Sequence, residues 1–404
     1  MTLPKHITFD LETSVNNTGE DSIGGFPASP YHPSNRIVSA GFLSNGEYTG
    51  LYMDELNGMG SPTGLLVGQN IKFDLLYLLR ELPGFRIHLA ECCTIWDTQL
   101  AEYLLSGQEL SMKRSPRELS LDGLSEKYKG TQKVDVIKEY WAAGKKTEEI
   151  PREELLEYME YDVRNTELAF CEQYKRAAEL NMLPLIESQM EALLATTEME
   201  FNGMCFDKAL AKEYIIPLQA ELKPIAEGIL AVLKERLPEF GRKVNPYSAG
   251  SGDQISLALF GGEYKSRESR VVLEEGKPVL VQSGVTMGQV RTKFYNTILT
   301  AKQWLPSQEK WALKKAGMYQ VDDKVLKILI HKAKNAGLLT FLQSIRRYRD
   351  LNKELSTYLI GFSEIAWPTE NGWFIHGKYN HAITDTGRLS SSQPNLQNVS
   401  GKGE

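Results

Sequence analysis

His6-Ile7-Thr8-Phe9-Asp10-Leu11-Glu12-Thr13 places a short β-rich run directly before two acidic residues. In a strand, residues two apart point to the same face, so Asp10 and Glu12 can reach one site. Alone, Asp-x-Glu marks a strand end as readily as a metal site. Outward from this run, the chain reads as alternating strand and helix to about residue 185. Arg36-Ile37-Val38-Ser39-Ala40-Gly41-Phe42-Leu43 is a second β-rich run, and Glu47 to Tyr52 extends the same sheet. From Asn70 the spacing of Ile71, Phe73, Leu75, Leu76, Leu78 and Leu79 predicts a helix stopped by Pro83-Gly84. A second helix is expected to carry Trp96 through Leu105. A third starts at Pro151, a favoured first helical position, and runs through Leu155, Tyr158, Val163 and Leu168.

After about residue 186 strand signals mostly vanish, and Leu193 to Phe201, Ala209 to Leu237 and Lys324 to Phe362 predict long amphipathic helices. The exception is Arg270 to Val281, where two β-branched runs flank Glu275-Gly276-Lys277 as in a hairpin. A chain of 404 residues exceeds one ordinary core and implies two or three domains. No apolar run reaches the roughly 20 residues that span a bilayer, so no membrane partner and a cytoplasmic setting are expected. Cys92, Cys93, Cys171 and Cys205 lack a CxxC spacing and the six His are scattered, which argues against a zinc site or a disulfide framework. Net charge is −6, yet residues 301–353 hold 12 Lys/Arg against 4 Asp/Glu. Such a basic segment suits a phosphate-tracking surface or a solvated helical face.

Two further carboxylates complete a pattern. Asn70-Ile71-Lys72-Phe73-Asp74 puts Asp74 in the first turn of a helix, with Asn70 as its N-cap. Tyr158-Met159-Glu160-Tyr161-Asp162 puts Tyr158 and Asp162 on one helical face, as an ordinary amphipathic helix also would. In this order, the strand Asp-x-Glu, the helix-start Asn-x-x-x-Asp and the late-helix Tyr-x-x-x-Asp resemble the three motifs of DEDD-type 3′–5′ exonucleases. The tyrosine-bearing subclass, which proofreads for family A DNA polymerases, is the narrower match. Trp96 to Leu105 and Leu119 to Ser125 also resemble that domain.

This resemblance implies a ribonuclease H-like α/β domain and a two-metal hydrolysis of phosphodiesters. Two divalent ions supply a nucleophile at neutral pH and neutralise charge on attacking and leaving oxygens. Hard Mg²⁺ or Mn²⁺ prefers carboxylates to His or Cys. By resemblance, Asp10, Glu12, Asp74 and Asp162 are the metal ligands and Tyr158 orients the attacking water. Tyr161 is the rival, turned roughly 100° around the helix. Thr13 and Asn70 would contact the departing 3′ nucleotide.

The later sequence resembles the same polymerases. Glu198 to Met204 is similar to the segment joining proofreading domain to thumb. Val244-Asn245-Pro246-Tyr247-Ser248, with Gln254-Ile255 and Leu259-Phe260, looks like a thumb-tip element, and Arg347 to Tyr358 like the helix that ends the thumb. Between Phe260 and Lys314 the chain is longer than that pattern. Its position does not match the processivity-factor loop of some phage polymerases, so no such partner is inferred. Thr384-Asp385-Thr386-Gly387-Arg388-Leu389-Ser390-Ser391-Ser392-Gln393-Pro394-Asn395-Leu396-Gln397-Asn398 resembles the signature that opens the palm. Arg388, Gln397 and Asn398 would be minor-groove contacts at the primer end.

The resemblance is strongest at residues 5–15, 68–80, 155–165 and 376–398. It implies an exonuclease domain at 1–185, a mostly α-helical thumb at 186–370 with an insertion near 263–312, and the start of a palm, truncated, at 371–404. The expected protein is a proofreading 3′–5′ exonuclease and primer-template-binding part of a DNA-directed DNA polymerase, of bacteriophage origin. Nucleotide addition would need palm and fingers from a second polypeptide. The expected partners are a single-stranded 3′ DNA end and a primer-template duplex. Two other readings are a stand-alone tyrosine-type exonuclease acting on RNA and a non-catalytic DNA-clamping subunit. Residues 376–398 speak against the first and the complete motif set against the second.

Overall fold

Alternating apolar and polar residues make β1 (His6–Thr13) the central strand of a five-stranded mixed sheet. The computed structural model describes residues 2–16, 27–56, 63–82, 84–131, 136–237, 246–282, 289–306 and 318–399. Pro83, Val244, Asn245 and Lys314 fall outside these, as do 283–288 and 307–312 of the expected insertion and 400–404 of the expected palm. By internal contacts the chain forms two compact units. One comprises Met1–Asp207 with Phe362–Glu404, the other Lys208–Gly361.

In the first unit, β1 pairs antiparallel with β2 (Ile37–Ser44), and β2 with β3 (Glu47–Tyr52), which extends the same sheet as expected. A short helix α1 (Met53–Leu56) follows. On its other edge β1 runs parallel to β4 (Gly64–Gly68), which the crossover helices α2 (Lys72–Glu81) and α3 (Phe85–Cys92) connect to parallel β5 (Cys93–Asp97). Trp96 therefore lies in a strand, not in the expected helix. The helix α4 (Thr98–Leu105) begins only after Asp97, whose side chain caps it by accepting the Leu100 N–H. Helices α5 (Leu121–Tyr128) and α6 (Val136–Ala142) lead to α7 (Arg152–Glu179) and α8 (Leu183–Asn202). Trp96, Tyr77, Tyr103, Phe85 and Phe170 are fully buried between the sheet and these helices. Each such side chain contributes roughly 1.5–3 kcal/mol. A two-residue strand, β6 (Met204–Cys205), ends this part.

In the second unit, α9 (Lys208–Arg236) and α10 (Gly252–Phe260) pack Leu233, Ile229, Ile255 and Leu259 into a separate core. A two-stranded antiparallel ribbon follows, formed by β7 (Gly262–Val271) and β10 (Thr292–Ala301). Between them, β8 (Leu273–Glu274) and β9 (Lys277–Pro278) make the expected hairpin. The ribbon was not expected, because Gly262–Val271 is mostly charged and polar and shows no apolar alternation. The predicted helix from Lys324 to Phe362 is broken. It becomes α11 (Asp323–Lys332), α12 (Ala336–Lys353) and a π-helical stretch Glu354–Gly361. Asn335 starts α12 afresh by accepting the Leu338 N–H.

The chain then rejoins the first unit through α13 (Phe362–Ile365), β11 (Trp367–Thr369) and β12 (Gly372–Ile375). Strand β12 pairs with β6, and β13 (Lys378–Asn380) pairs with β14 (Ser390–Ser392). All four cysteines are free, Cys92 and Cys205 being exposed. No helix among the described residues is long and apolar enough to cross a membrane.

Candidate active site

The period-2 geometry of β1 sends Asp10 and Glu12 to one face. Asp10 pairs across the sheet with Gly41, and a Cβ at Gly41 would come within 3.0–3.1 Å of Met159 and Val163. Glycine there lets α7 lie close against β2, beside the strand that carries the acids. On α7 the 3.6-residue period turns Tyr158, Met159, Asp162 and Val163 inward, while Tyr161 is only half-buried. Carboxylate oxygens of Asp10, Glu12 and Asp162 lie within 4.8 Å of one another. Glu12 and Asp162 are buried, and Asp10 is half-buried.

Asp74 stands behind this group in the first turn of α2, 3% exposed. Burial, then the charge of Asp10, holds its carboxyl well above the usual carboxylate range. Backbone N–H groups of Asp74 itself and of Leu11 offset this in part. Four carboxylates crowded in this way repel one another, and a divalent cation relieves the repulsion. The donor set is all oxygen, which suits Mg²⁺, Mn²⁺ or Ca²⁺ rather than a thiophilic ion.

The start of α2 differs from expectation. Asn70 is not the side-chain N-cap; Ile71 occupies that position without a side-chain cap of its own. Asn70 is exposed and left-handed, with φ 53°. The cap is supplied from another element, because Asp97 accepts the Ile71 N–H at 2.7 Å and the Leu100 N–H at 2.7 Å. Burial pushes the Asp97 carboxyl up to about 6.

Tyr158 is 8% exposed, with its ring edge-on to Trp141 at 6.0 Å and packed with Val38 and Leu155. Thr13 is buried and hydrogen-bonds the Tyr77 hydroxyl. Arg388, Gln397 and Asn398 are exposed on the last described segment, outside the carboxylate cluster. One neighbour escaped the sequence reading. The Tyr48 hydroxyl donates to the Leu156 carbonyl at 3.2 Å, and burial with the charges of Glu160 and Asp10 pushes it far above its usual range. Its place in β3, paired with Leu43 two strands from the acids, gives no local signal of this.

A family model described as 3′-5′ exonuclease matches residues 6–167, and one described as DNA polymerase family A matches residues 280–404. DNA polymerase I of Bacillus subtilis (strain 168) is 32% identical over 139 residues, which is 34% of this chain and 14% of that protein. DNA polymerase I of Streptococcus pneumoniae (strain ATCC BAA-255 / R6) is 26% identical over 308 residues, 75% of this chain and 27% of that protein. The alignments therefore span about a quarter or less of those relatives. A solved POL domain of Pol1 from M. smegmatis, in complex with DNA primer-template and dNTP, has a TM-score of 0.55 and 17% identity. That alignment covers 92% of this chain and 50% of the solved one, a likeness of fold. The chain thus carries a 3′-5′ exonuclease domain over residues 6–167 and a DNA polymerase family A domain over residues 280–404, and it is similar to DNA polymerases of the DNA polymerase I type.

Proposed function

We propose that this chain removes nucleotides from the 3′ end of a DNA strand, as the proofreading part of a DNA polymerase. The observation that carries this is the convergence of Asp10, Glu12 and Asp162 within 4.8 Å, with Asp74 buried beside them. These four would hold two divalent ions, Mg²⁺ or Mn²⁺. The ions would supply Lewis acidity and a nucleophile at neutral pH.

The chain's own residues do the rest. The Tyr158 hydroxyl, one helical turn before Asp162, orients the attacking water. Asn70, exposed just before α2, and Thr13, at the end of β1, contact the departing 3′ nucleotide. On the same reading residues 1–185 form the exonuclease domain, 186–370 the thumb with its ribbon insertion, and 371–404 the opening of the palm. Arg388, Gln397 and Asn398 then hold the primer end of a duplex.

The test is 3′ digestion of a single-stranded DNA end by the purified chain with Mg²⁺. Wild type should digest it and Asp74→Ala should not. Equal digestion by both would remove the assignment. Faster digestion of an RNA 3′ end than of the DNA would favour the RNA-directed alternative.

A further inference from the structure

Asn70 lies just before α2 and Asp74 in its first turn, on either side of Lys72. Two cavities, of about 240 and 210 Å³, both have Asn70 and Lys72 in their walls. What crosses this space is polar. The Lys72 ammonium donates to Glu200 Oε1 at 2.7 Å and to the carbonyl of Tyr379. The same Glu200 oxygen accepts the Tyr379 N–H at 2.6 Å, closing a ring between α2, α8 and β13. Glu200 is 4% exposed and the Lys72 side chain 14%. The backbone carbonyl of Glu200 accepts from the Tyr31 hydroxyl and from His376 Nδ1, each at 2.9 Å. The Tyr31 and His376 rings stack at 3.8 Å.

A buried carboxylate that accepts from both an ammonium and a backbone N–H is held in place, because displacing either partner would leave a buried charge poorly compensated. Lys72 lies two residues from Asn70 and two from Asp74. Anchoring its ammonium therefore restrains the segment that carries both.

We propose that Lys72 and Glu200 are positioning residues for the carboxylate site. Their ion pair struts α2 against β13, so that the hairpin of β13 and β14 is part of the site's support. This rests on the metal-dependent reading above. Neither residue touches the reacting atoms; each acts through the placement of Asp74 and Asn70.

The test uses the full chain and Mn²⁺ alone as probe, with the free ion followed by electron paramagnetic resonance. Partners that hold metal ligands in place are worth about 10–100-fold in affinity. Lys72→Met should weaken Mn²⁺ binding at least about tenfold, and Lys72→Arg should restore part of the loss. Thr196→Val is the control. It removes the 2.8 Å bond to His381 at the same junction without touching α2, and should leave Mn²⁺ affinity as in wild type. Hydrolysis by Lys72→Met should fall at limiting Mn²⁺ and recover at saturating Mn²⁺. Unchanged Mn²⁺ affinity in Lys72→Met, or an equal fall in Thr196→Val, overturns the strut while leaving the exonuclease reading intact. A wild-type chain whose Mn²⁺ binding equals that of Asp74→Ala overturns both.

Discussion

Charge is concentrated in two regions of this chain, and the two handle it in opposite ways. In the first unit Asp10, Glu12, Asp74 and Asp162 crowd like charges into a buried place. In the second unit several cations of α11 and α12 are paired from within. Asp323 pairs with Arg346 at 2.6 Å and with Lys327 at 2.7 Å, Arg347 pairs with Glu221 at 2.5 Å, and Arg349 turns inward to the Val321 carbonyl. A local excess of one sign in the sequence thus says little until partners are known. Convergence of like charges on one largely buried place is the stronger sign of a site.

The comparison is sharpened most by the acids. Asp162→Ala and Asp74→Ala should each lower 3′ hydrolysis by more than about 100-fold, beyond the range for residues that only support a metal ligand. Steady-state digestion of a labelled DNA 3′ end measures this. Tyr158→Phe comes next. It keeps the ring against Trp141, so melting should move by no more than about 1 kcal/mol, while hydrolysis should fall at least about tenfold for loss of the hydroxyl. A rate equal to wild type would give the role to another group.

A smaller effect is expected from pH. Burial holds the His381 imidazole down at about 4. Its folded pKa lies below the unfolded value, so the stability it lends is complete above about 6.5 and is lost as pH falls toward 4. Discounted for the solvent the ring still meets, wild type should lose on the order of 1 kcal/mol more than His381→Gln between pH 7 and pH 5. Thermal melts in chelator at the two pH values would show it, and parallel losses would refute it. The smallest effect is predicted for Arg347→Ala. An exposed pair contributes less than about 1 kcal/mol, and an arginine occupied by Glu221 releases no counterion from DNA. The salt dependence of duplex binding should therefore not change. A slope reduced by about 0.9 would mean that Arg347 leaves Glu221 for a phosphate.

Much of the first unit was legible because its periods are short. Two-residue spacing in β1 and 3.6-residue spacing in α7 predicted which acids share a face, and those faces meet. The sheet's second edge was not legible. Strand β4 is five residues long, and Trp96 continues an apolar pattern that is as helical as it is extended. Capping was misread for a related reason: the group that caps α2 is Asp97, 26 residues on, and local rules name only neighbours. Lys72 is the extreme case, with partners 128 and 307 residues away in Glu200 and Tyr379. No local pattern in a single sequence carries such a pairing. In the second unit the ribbon was missed because its first strand is nearly all polar, while the hairpin inside it, rich in β-branched residues, was found.

The discontinuity of the first unit has a consequence in time. Glu200 is made well before Tyr379, and the 154 residues from Lys208 to Gly361 are made between the two segments of its unit. At about 5–20 residues per second, a ribosome takes roughly 8–30 s to deliver them. For that interval a nascent Glu200 lacks the backbone N–H of β13, and Lys72 lacks its carbonyl. The unit that holds the acids can therefore complete its packing only after the whole of the other unit has emerged.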